Sequence, residues 1–205
     1  MSDPKSEPTG TPVPVTDAFF KWEVEAARSP DSLPEIRLDA NERFLVPFTT
    51  SVVTVQTHFL DLPGHWGYVR CNGPDCVLCR VGRKQDSRDL LPVYDVIAKS
   101  VGVLPVSPSV LTESLKSQLL PALRQLKADK RVLIAVRKLD RTGFSVALLD
   151  LPEGADDGAS EIARFLEAHA GGTVELARIY RQLSNQELAA IPEIATSMRL
   201  KGVSA

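Results

Sequence analysis

The sequence contains few aromatic residues and no long apolar run. Aromatic residues make up 6% of the 205 residues, too few to indicate a large aromatic core or a receptor ectodomain. No apolar run approaches the roughly 18 residues of a membrane-spanning helix, so we expect no membrane partner. Residues 1–8 are polar and rich in proline, which does not match the apolar segment of a secretory signal.

Cysteine is equally scarce, and it is confined to one place. All three cysteines lie between Cys71 and Cys79. An odd number of clustered cysteines does not fit a disulfide framework, because disulfides use cysteines in pairs. The sequence therefore predicts a reduced, cytoplasmic protein.

The net charge of −2 conceals an uneven distribution of charged residues. Residues 66–145 carry 14 Lys and Arg against 7 Asp and Glu, whereas residues 1–65 and 146–205 have net charges of −5 and −4. A basic middle between acidic ends indicates a polyanionic partner. A solvated surface with chance clustering is the alternative explanation.

Hydrophobic patterns predict several strands followed by helices. Residues 43–48, 51–60, 64–70 and 90–106 have the composition of strands, and residues 110–126 have helical spacing. Residues 131–149 predict a hairpin, and Ser184 with Glu187 forms a capping-box pattern at the start of a last helix. This order predicts a mainly β (α+β) fold, a small barrel with additions, rather than an α/β sheet.

One spacing carries most of the chemical information, His58-x12-Cys71-x4-Cys76-x2-Cys79. Thiolate and imidazole are ligands that select zinc, and three cysteines with one histidine complete a closed tetrahedral site. We therefore predict one structural zinc ion per chain, bound by His58, Cys71, Cys76 and Cys79. His65 is the alternative fourth ligand.

Other interpretations of the cysteines stay open. Cys76 and Cys79 could form a redox dithiol, although this would leave Cys71 unused and lacks the strand-to-helix setting of thioredoxin. The three could also be buried structural thiols. A catalytic zinc is disfavoured because four protein ligands leave no open coordination position, and no His-Glu-x-x-His or His-x-Glu pattern supplies a base.

Basic and aromatic residues are interleaved around the cysteines. Basic side chains contact phosphates and aromatic rings stack on unpaired bases, as in oligonucleotide-binding (OB) barrels. A buried role for the tyrosines and a solvated surface for the later cations are the alternatives. The predicted nucleic-acid contacts are Trp66, Tyr68, Arg70, Arg80, Arg83, Lys84, Arg88, Tyr94, Arg137 and Lys138.

The strand-rich approach to His58, the twelve-residue gap to Cys71 and the Cys76-x2-Cys79 knuckle resemble the zinc-containing single-stranded DNA-binding proteins of T-even phages and their relatives. The resemblance covers roughly residues 43–150, and only the metal spacing is specific. It implies an OB fold with a structural zinc and a bacterial or phage-infected cell. The chain has neither a basic opening arm nor a long acidic tail, so cooperative filaments and tail-mediated recruitment are not implied.

Together these features predict an OB-like five-stranded barrel with an inserted zinc knuckle, one internal helix and C-terminal helices. The predicted divisions are a disordered tail at 1–16, the zinc-containing nucleic-acid-binding domain at 17–152 and a helical C-terminal segment at 153–205. We expect a non-enzymatic protein that binds single-stranded DNA in replication, recombination or repair, with proteins of those pathways as further partners. The alternative is a zinc-knuckle protein-interaction module of a larger complex.

Overall fold

The computed structural model describes residues 33–49, 52–109, 111, 114–127, 132–139, 143–151, 156–168 and 175–204. The predicted disordered tail, residues 1–16, and the predicted boundary at residue 153 lie outside the described residues. Residues Ser32–Ala205 form one compact unit. Among the described helices, none combines the length and the apolar character needed to cross a membrane.

The fold is mainly β with helical additions, as the sequence predicts. The described residues form five α-helices, α1 (Val77–Arg80), α2 (Leu115–Lys127), α3 (Ala159–Ala168), α4 (Asn185–Ala190) and α5 (Pro192–Lys201). They also form seven strands, β1 (Arg43–Pro47), β2 (Val53–Leu62), β3 (His65–Arg70), β4 (Asp86–Asp95), β5 (Ser100–Val106), β6 (Val132–Lys138) and β7 (Phe144–Asp150).

The strands form one antiparallel sheet in the order β3-β2-β4-β1-β6-β7, with β5 paired to β4. Strand β4 is the centre of the sheet. It pairs with β2 along its first half, with β1 along its second half, and with β5 from Asp89 to Asp95. The order of the described strands therefore places β3 and β7 at opposite ends of the sheet.

The expectation of a five-stranded OB barrel is wrong in its number of strands and in its closure. Seven strands form among the described residues, and their pairings do not close the sheet. The hydrophobic pattern identified most of the strands because side chains alternate between two faces with a period of two. It could not identify their partners, because pairing between distant strands depends on the whole core.

Two of the three clusters of buried residues cover different parts of one sheet face, and the third contains Leu90, Val103, Leu176 and Tyr180. The first packs helix α2, through Leu115 and Leu119, against β4, β5 and β6. The second joins Leu60 of β2 and Val69 of β3 to helices α1, α4 and α5. The C-terminal helices therefore pack against the β2–β3 hairpin and the segment that carries the cysteines.

Candidate metal centre and aromatic surface

The four predicted metal ligands come from three consecutive parts of the chain. His58 lies on β2 directly opposite Val69 of β3. Cys71 follows the end of β3, and a 3-10 turn at Gly73–Asp75 leads to Cys76. Gly73 has a φ of 81°, a backbone conformation that glycine adopts without strain. Cys79 lies in the short helix α1, so the hairpin and the turn bring all four residues together.

The ligand atoms of His58, Cys71, Cys76 and Cys79 lie within 4.8 Å of one another. The Sγ atoms of Cys71 and Cys79 are 3.6 Å apart. His58 Nε2 is 3.6 Å from Cys76 Sγ and 3.4 Å from Cys79 Sγ. The four residues could therefore hold one metal ion among them.

A backbone contact orients the His58 ring toward the sulfurs. His58 Nδ1 is 2.9 Å from the carbonyl oxygen of Lys84, and because a carbonyl oxygen only accepts, we assign the proton to Nδ1. The lone pair of Nε2 then faces Cys76 and Cys79. Burial lowers the pKa of His58, although the Lys84 carbonyl and the Asp86 charge act in the opposite direction. The neutral form is the one that binds metals.

The cysteine thiols have unequal acidities. Burial and the neighbouring thiol groups of Cys71 and Cys76 raise the pKa of Cys79 to about 12. The pKa of Cys71 is lowered: burial opposes this, and contacts with the Gly73 backbone and neighbouring side chains outweigh it. One of those neighbours, Gln85, donates from Nε2 to Cys71 Sγ at 3.2 Å. Thiolates crowded together repel one another, and a bound cation removes that repulsion.

The alternative ligand His65 lies elsewhere. It pairs with Leu62 at the turn of the β2–β3 hairpin, seven positions along the chain from His58, and it is not part of the ligand cluster. Pairing of β2 with β3 places His58, and not His65, at the hairpin end where the cysteines begin.

Helix α4 is fastened to the cysteine segment through Asn185, a contact that sequence reasoning missed. Asn185 Oδ1 accepts from Asn72 Nδ2 at 3.0 Å and from the Val77 backbone N–H at 3.2 Å. Its Nδ2 donates to the Asp75 carbonyl at 2.9 Å. The capping box of Ser184 and Glu187, which the sequence predicted, is confirmed and fixes the start of this helix.

Three aromatic side chains form a surface on the β2–β3 hairpin. Trp66, Tyr68 and Arg70 alternate along β3 and therefore share one sheet face. Phe59 pairs with Tyr68 across the hairpin, and its ring centroid is 5.4 Å from that of Trp66 and 5.1 Å from that of Tyr68. Trp66 is 66% exposed and Phe59 is 38% exposed. We call Phe59, Trp66 and Tyr68 the aromatic platform.

Phe59 is a member of this platform that sequence reasoning missed. Its position was available from the alternation of β2, in which residues 55, 57, 59 and 61 share one face. Only the register with β3 brings it beside Tyr68, and that register depends on the hairpin turn.

Tyr94 cannot act as a stacking residue in this structure. Its side chain is 0% exposed, and its hydroxyl donates to Asp156 Oδ2 at 3.0 Å. Burial and the Asp156 contact raise its pKa to about 12. The prediction that Tyr94 contacts bases is therefore wrong, because tertiary packing places the ring in the core.

Two of the predicted phosphate contacts are engaged by the protein itself. Arg88 donates to the Tyr68 hydroxyl, and its guanidinium lies 4.4 Å from the centroid of the Tyr68 ring. Arg70 Nη1 is 2.5 Å from Glu175 Oε1, whose carboxylate also lies near Arg178.

The remaining basic residues lie in two separate places. Arg80 ends helix α1, and Arg83 and Lys84 follow it; Lys84 is exposed and pairs with Asp86 at 3.1 Å. Arg137 and Lys138 are consecutive on β6 and point to opposite sheet faces. Strand β6 is four positions from β3 in the sheet, so the ten predicted contacts do not form one stripe.

A groove with both polar and apolar side chains borders the ligand cluster. It is lined by residues 53–56 of β2, by Arg70, Cys71, Gly73 and Gln85, and by residues 175–177.

The chain was compared with protein-family models, curated proteins and solved structures, and none of them matches the chain.

Proposed function

We propose that His58, Cys71, Cys76 and Cys79 bind one structural zinc ion. A tetrahedral zinc with these ligands places two sulfurs about 3.8 Å apart and a sulfur and a nitrogen about 3.6 Å apart. The separations of 3.6 Å between the Cys71 and Cys79 sulfurs and of 3.4 and 3.6 Å between His58 Nε2 and two sulfurs are close to these values. Four protein ligands leave no position for a substrate, so the role is structural.

Zinc would stabilise the fold through this segment. Cys76 is fully buried and belongs to the same cluster as Leu188 and Ile194 of the C-terminal helices. Binding of the ion would therefore hold the turn, helix α1 and the docking surface for α4 together, since the free energy of metal binding is also free energy of folding.

We further propose that the protein is a non-enzymatic single-stranded DNA-binding protein of replication, recombination or repair. The observation that carries this proposal is the aromatic platform, with Trp66 66% exposed and supported from the side by Phe59. Exposing a ring of this size forgoes the free energy of burying it, whereas an exposed ring offers a stacking face for an unpaired base. Arg80, Arg83 and Lys84 supply positive charge beside the metal ligands.

A titration with fluorescent oligo(dT) tests this function, with a duplex of equal length as control. We expect tighter binding to the single strand and a linear fall of log affinity with log salt, of about 0.7 per phosphate contact. Trp66→Ala should weaken binding by about 1–3 kcal/mol and leave the salt slope unchanged, because stacking releases no counterions. Affinity for the single strand no better than for the duplex would instead favour the protein-interaction module.

A further inference from the structure

The contacts of Arg88 differ from those of a phosphate-binding arginine. Arg88 lies on β4 opposite Val55 of β2, on the sheet face that carries the aromatic platform. Its Nη2 donates to the Tyr68 hydroxyl, and its Nε is buried without a hydrogen-bond partner among the described residues. Arginine binds phosphate with two parallel N–H groups. Of the two edges of the Arg88 guanidinium that could do so, the edge formed by Nε and Nη2 is unavailable, because Nε is buried and Nη2 donates to Tyr68.

The same contacts fix the Tyr68 ring on several sides. The guanidinium covers the ring at 4.4 Å from its centroid. Phe59 meets it edge-on at 5.1 Å, and the buried ring of Tyr180 lies at 6.0 Å. A cation over a partly desolvated ring is attracted to its electron-rich face, so Arg88 adds a directional contact to apolar packing.

The fixed orientation of Tyr68 also restricts the rings of Phe59 and Trp66, toward the exposed end of the platform. Tyr68 supports Phe59, and Phe59 holds Trp66 edge-on at 5.4 Å. A stacking ring that is already immobilised loses less conformational entropy when a base binds. An unsupported Trp66 would have to be ordered at the moment of binding.

We propose that Arg88 is a positioning residue of the aromatic platform and not a phosphate contact. The inference rests on the proposed binding of single strands. Arg88 holds Tyr68, and through Phe59 it holds Trp66, in the orientation that stacks on an unpaired base. Lysine cannot replace it, because a point-like ammonium cannot cover the ring and also donate to the hydroxyl from a planar fork.

The test measures oligo(dT) affinity against salt concentration for Arg88→Met, Arg88→Lys and the matched control Arg80→Met. We expect both Arg88 variants to weaken binding about threefold or more with the salt slope unchanged, whereas Arg80→Met lowers the slope by about 0.7. In a Trp66→Ala background, Arg88→Met should lower the affinity by less than about a further twofold. The effects of two residues that act through one another are not additive. A lower slope for Arg88→Met, rescue by lysine, or additive losses would overturn the inference.

A measurement without DNA separates this inference from the proposed function. The chain has two tryptophans, Trp22 and Trp66, so Trp22→Phe leaves Trp66 as the only one. Adding Arg88→Met to that background should lower the fluorescence anisotropy of Trp66, whereas adding Arg80→Met should not. If the anisotropy falls but no single-stranded DNA binds, the proposed function fails and the positioning role stands. An unchanged anisotropy overturns the positioning role.

Discussion

The imidazole of His58 is held at both of its nitrogens. Nδ1 faces the Lys84 carbonyl and Nε2 faces two cysteine sulfurs. This arrangement selects one tautomer and one ring orientation, which is how proteins commonly orient a histidine that binds a metal. His65, with the same side chain, has neither contact among the described residues.

The two histidines therefore make a matched pair for testing the metal site. His58→Gln should speed the transfer of zinc from the protein to a chromogenic chelator, because it removes one of four ligands. His65→Gln should release zinc at the rate of the unchanged protein. Faster release from His65→Gln than from His58→Gln would contradict the assignment of the fourth ligand.

Asp89 is one of two buried carboxylates among the described residues. It is 7% exposed, and it accepts from Thr54 Oγ1 at 2.6 Å and from Lys116 Nζ at 2.8 Å. Burial alone would raise the pKa of Asp89, but the contacts with Lys116 and Thr54 outweigh it and lower the pKa. Asp89 thus fastens helix α2 to the centre of the sheet.

We expect Asp89→Asn to lower the free energy of unfolding by about 1–3 kcal/mol at neutral pH. A carboxyl group with a lowered pKa in the folded state stabilises the protein above its unfolded pKa of about 3.9 and loses this effect as the pH falls through its folded value. The difference between Asp89→Asn and the unchanged protein in urea unfolding should therefore shrink below about pH 4. A difference that grows on acidification would be inconsistent with this pair.

At the scale of elements, helix α4 and the cysteine turn are joined by one side chain. Asn185 serves the Asn72 amide, the Asp75 carbonyl and the Val77 N–H at once. One side-chain amide and two backbone groups are involved, and all three belong to residues between Cys71 and Cys79, so the helix and the metal site should stabilise each other.

Asn185→Ala should lower the free energy of unfolding by about 1–3 kcal/mol, because it leaves part-buried polar groups without their partner. It should also speed zinc release to a chelator. Gln186→Ala, at the neighbouring exposed position, is the control and should change neither measurement. If the two variants have the same free energy of unfolding and the same rate of zinc release, helix α4 does not stabilise the metal site through Asn185.

The ion pair of Arg70 with Glu175 links β3 to the segment before Tyr180. The Glu175 carboxylate engages Arg70 Nη1, and Arg70 lowers the pKa of Glu175. At neutral pH, Glu175 is therefore ionised, and under the proposed function it would compete with a nucleic-acid backbone for Arg70.

Glu175→Gln should raise the affinity for oligo(dT) about two- to fivefold and steepen the salt slope by about 0.7, as expected for one additional phosphate contact. Glu167→Gln on α3 makes the same change in net charge and is the control. If both variants raise affinity equally, the effect is one of overall charge and not of release of Arg70.

At the scale of the whole molecule, two of the three buried clusters differ in their relation to the proposed metal ligands. In the first cluster, helix α2 packs on β4, β5 and β6 through Leu119 and its neighbours, and none of the cluster's described members is a cysteine. The second cluster contains Cys76 together with Leu188, Ile194 and Met198. Zinc should therefore stabilise the second cluster directly and the first only indirectly.

Removal of zinc with a chelator should increase hydrogen exchange first in α1, α4 and α5. Amides of β5 and β6, in the other cluster, should keep most of their protection, because regions open according to their local contacts. Exchange that rises uniformly over both clusters would show that the metal stabilises the whole unit as a single cooperative structure.

Local patterns in the sequence were sufficient for most of the strands and for the cluster of candidate metal ligands. Alternating β-branched residues identified most strands, the Ser184–Glu187 pair identified the start of α4, and the spacing of His58 and the cysteines identified a cluster that the structure brings together. Each of these features depends on residues that are near in sequence or are joined by one hairpin. Short-range sterics and ligand chemistry are therefore enough to specify them.

Only the tertiary structure decided which side chains are available to a partner. Tyr68 and Tyr94 look alike in the sequence, yet Tyr94 is covered in the core while Tyr68 lies at the surface among Phe59, Arg88 and Tyr180. The seven-stranded order was likewise beyond local patterns. Burial and strand partnership are set by contacts between segments far apart in the chain, and their free energy belongs to the assembled core and not to any one segment.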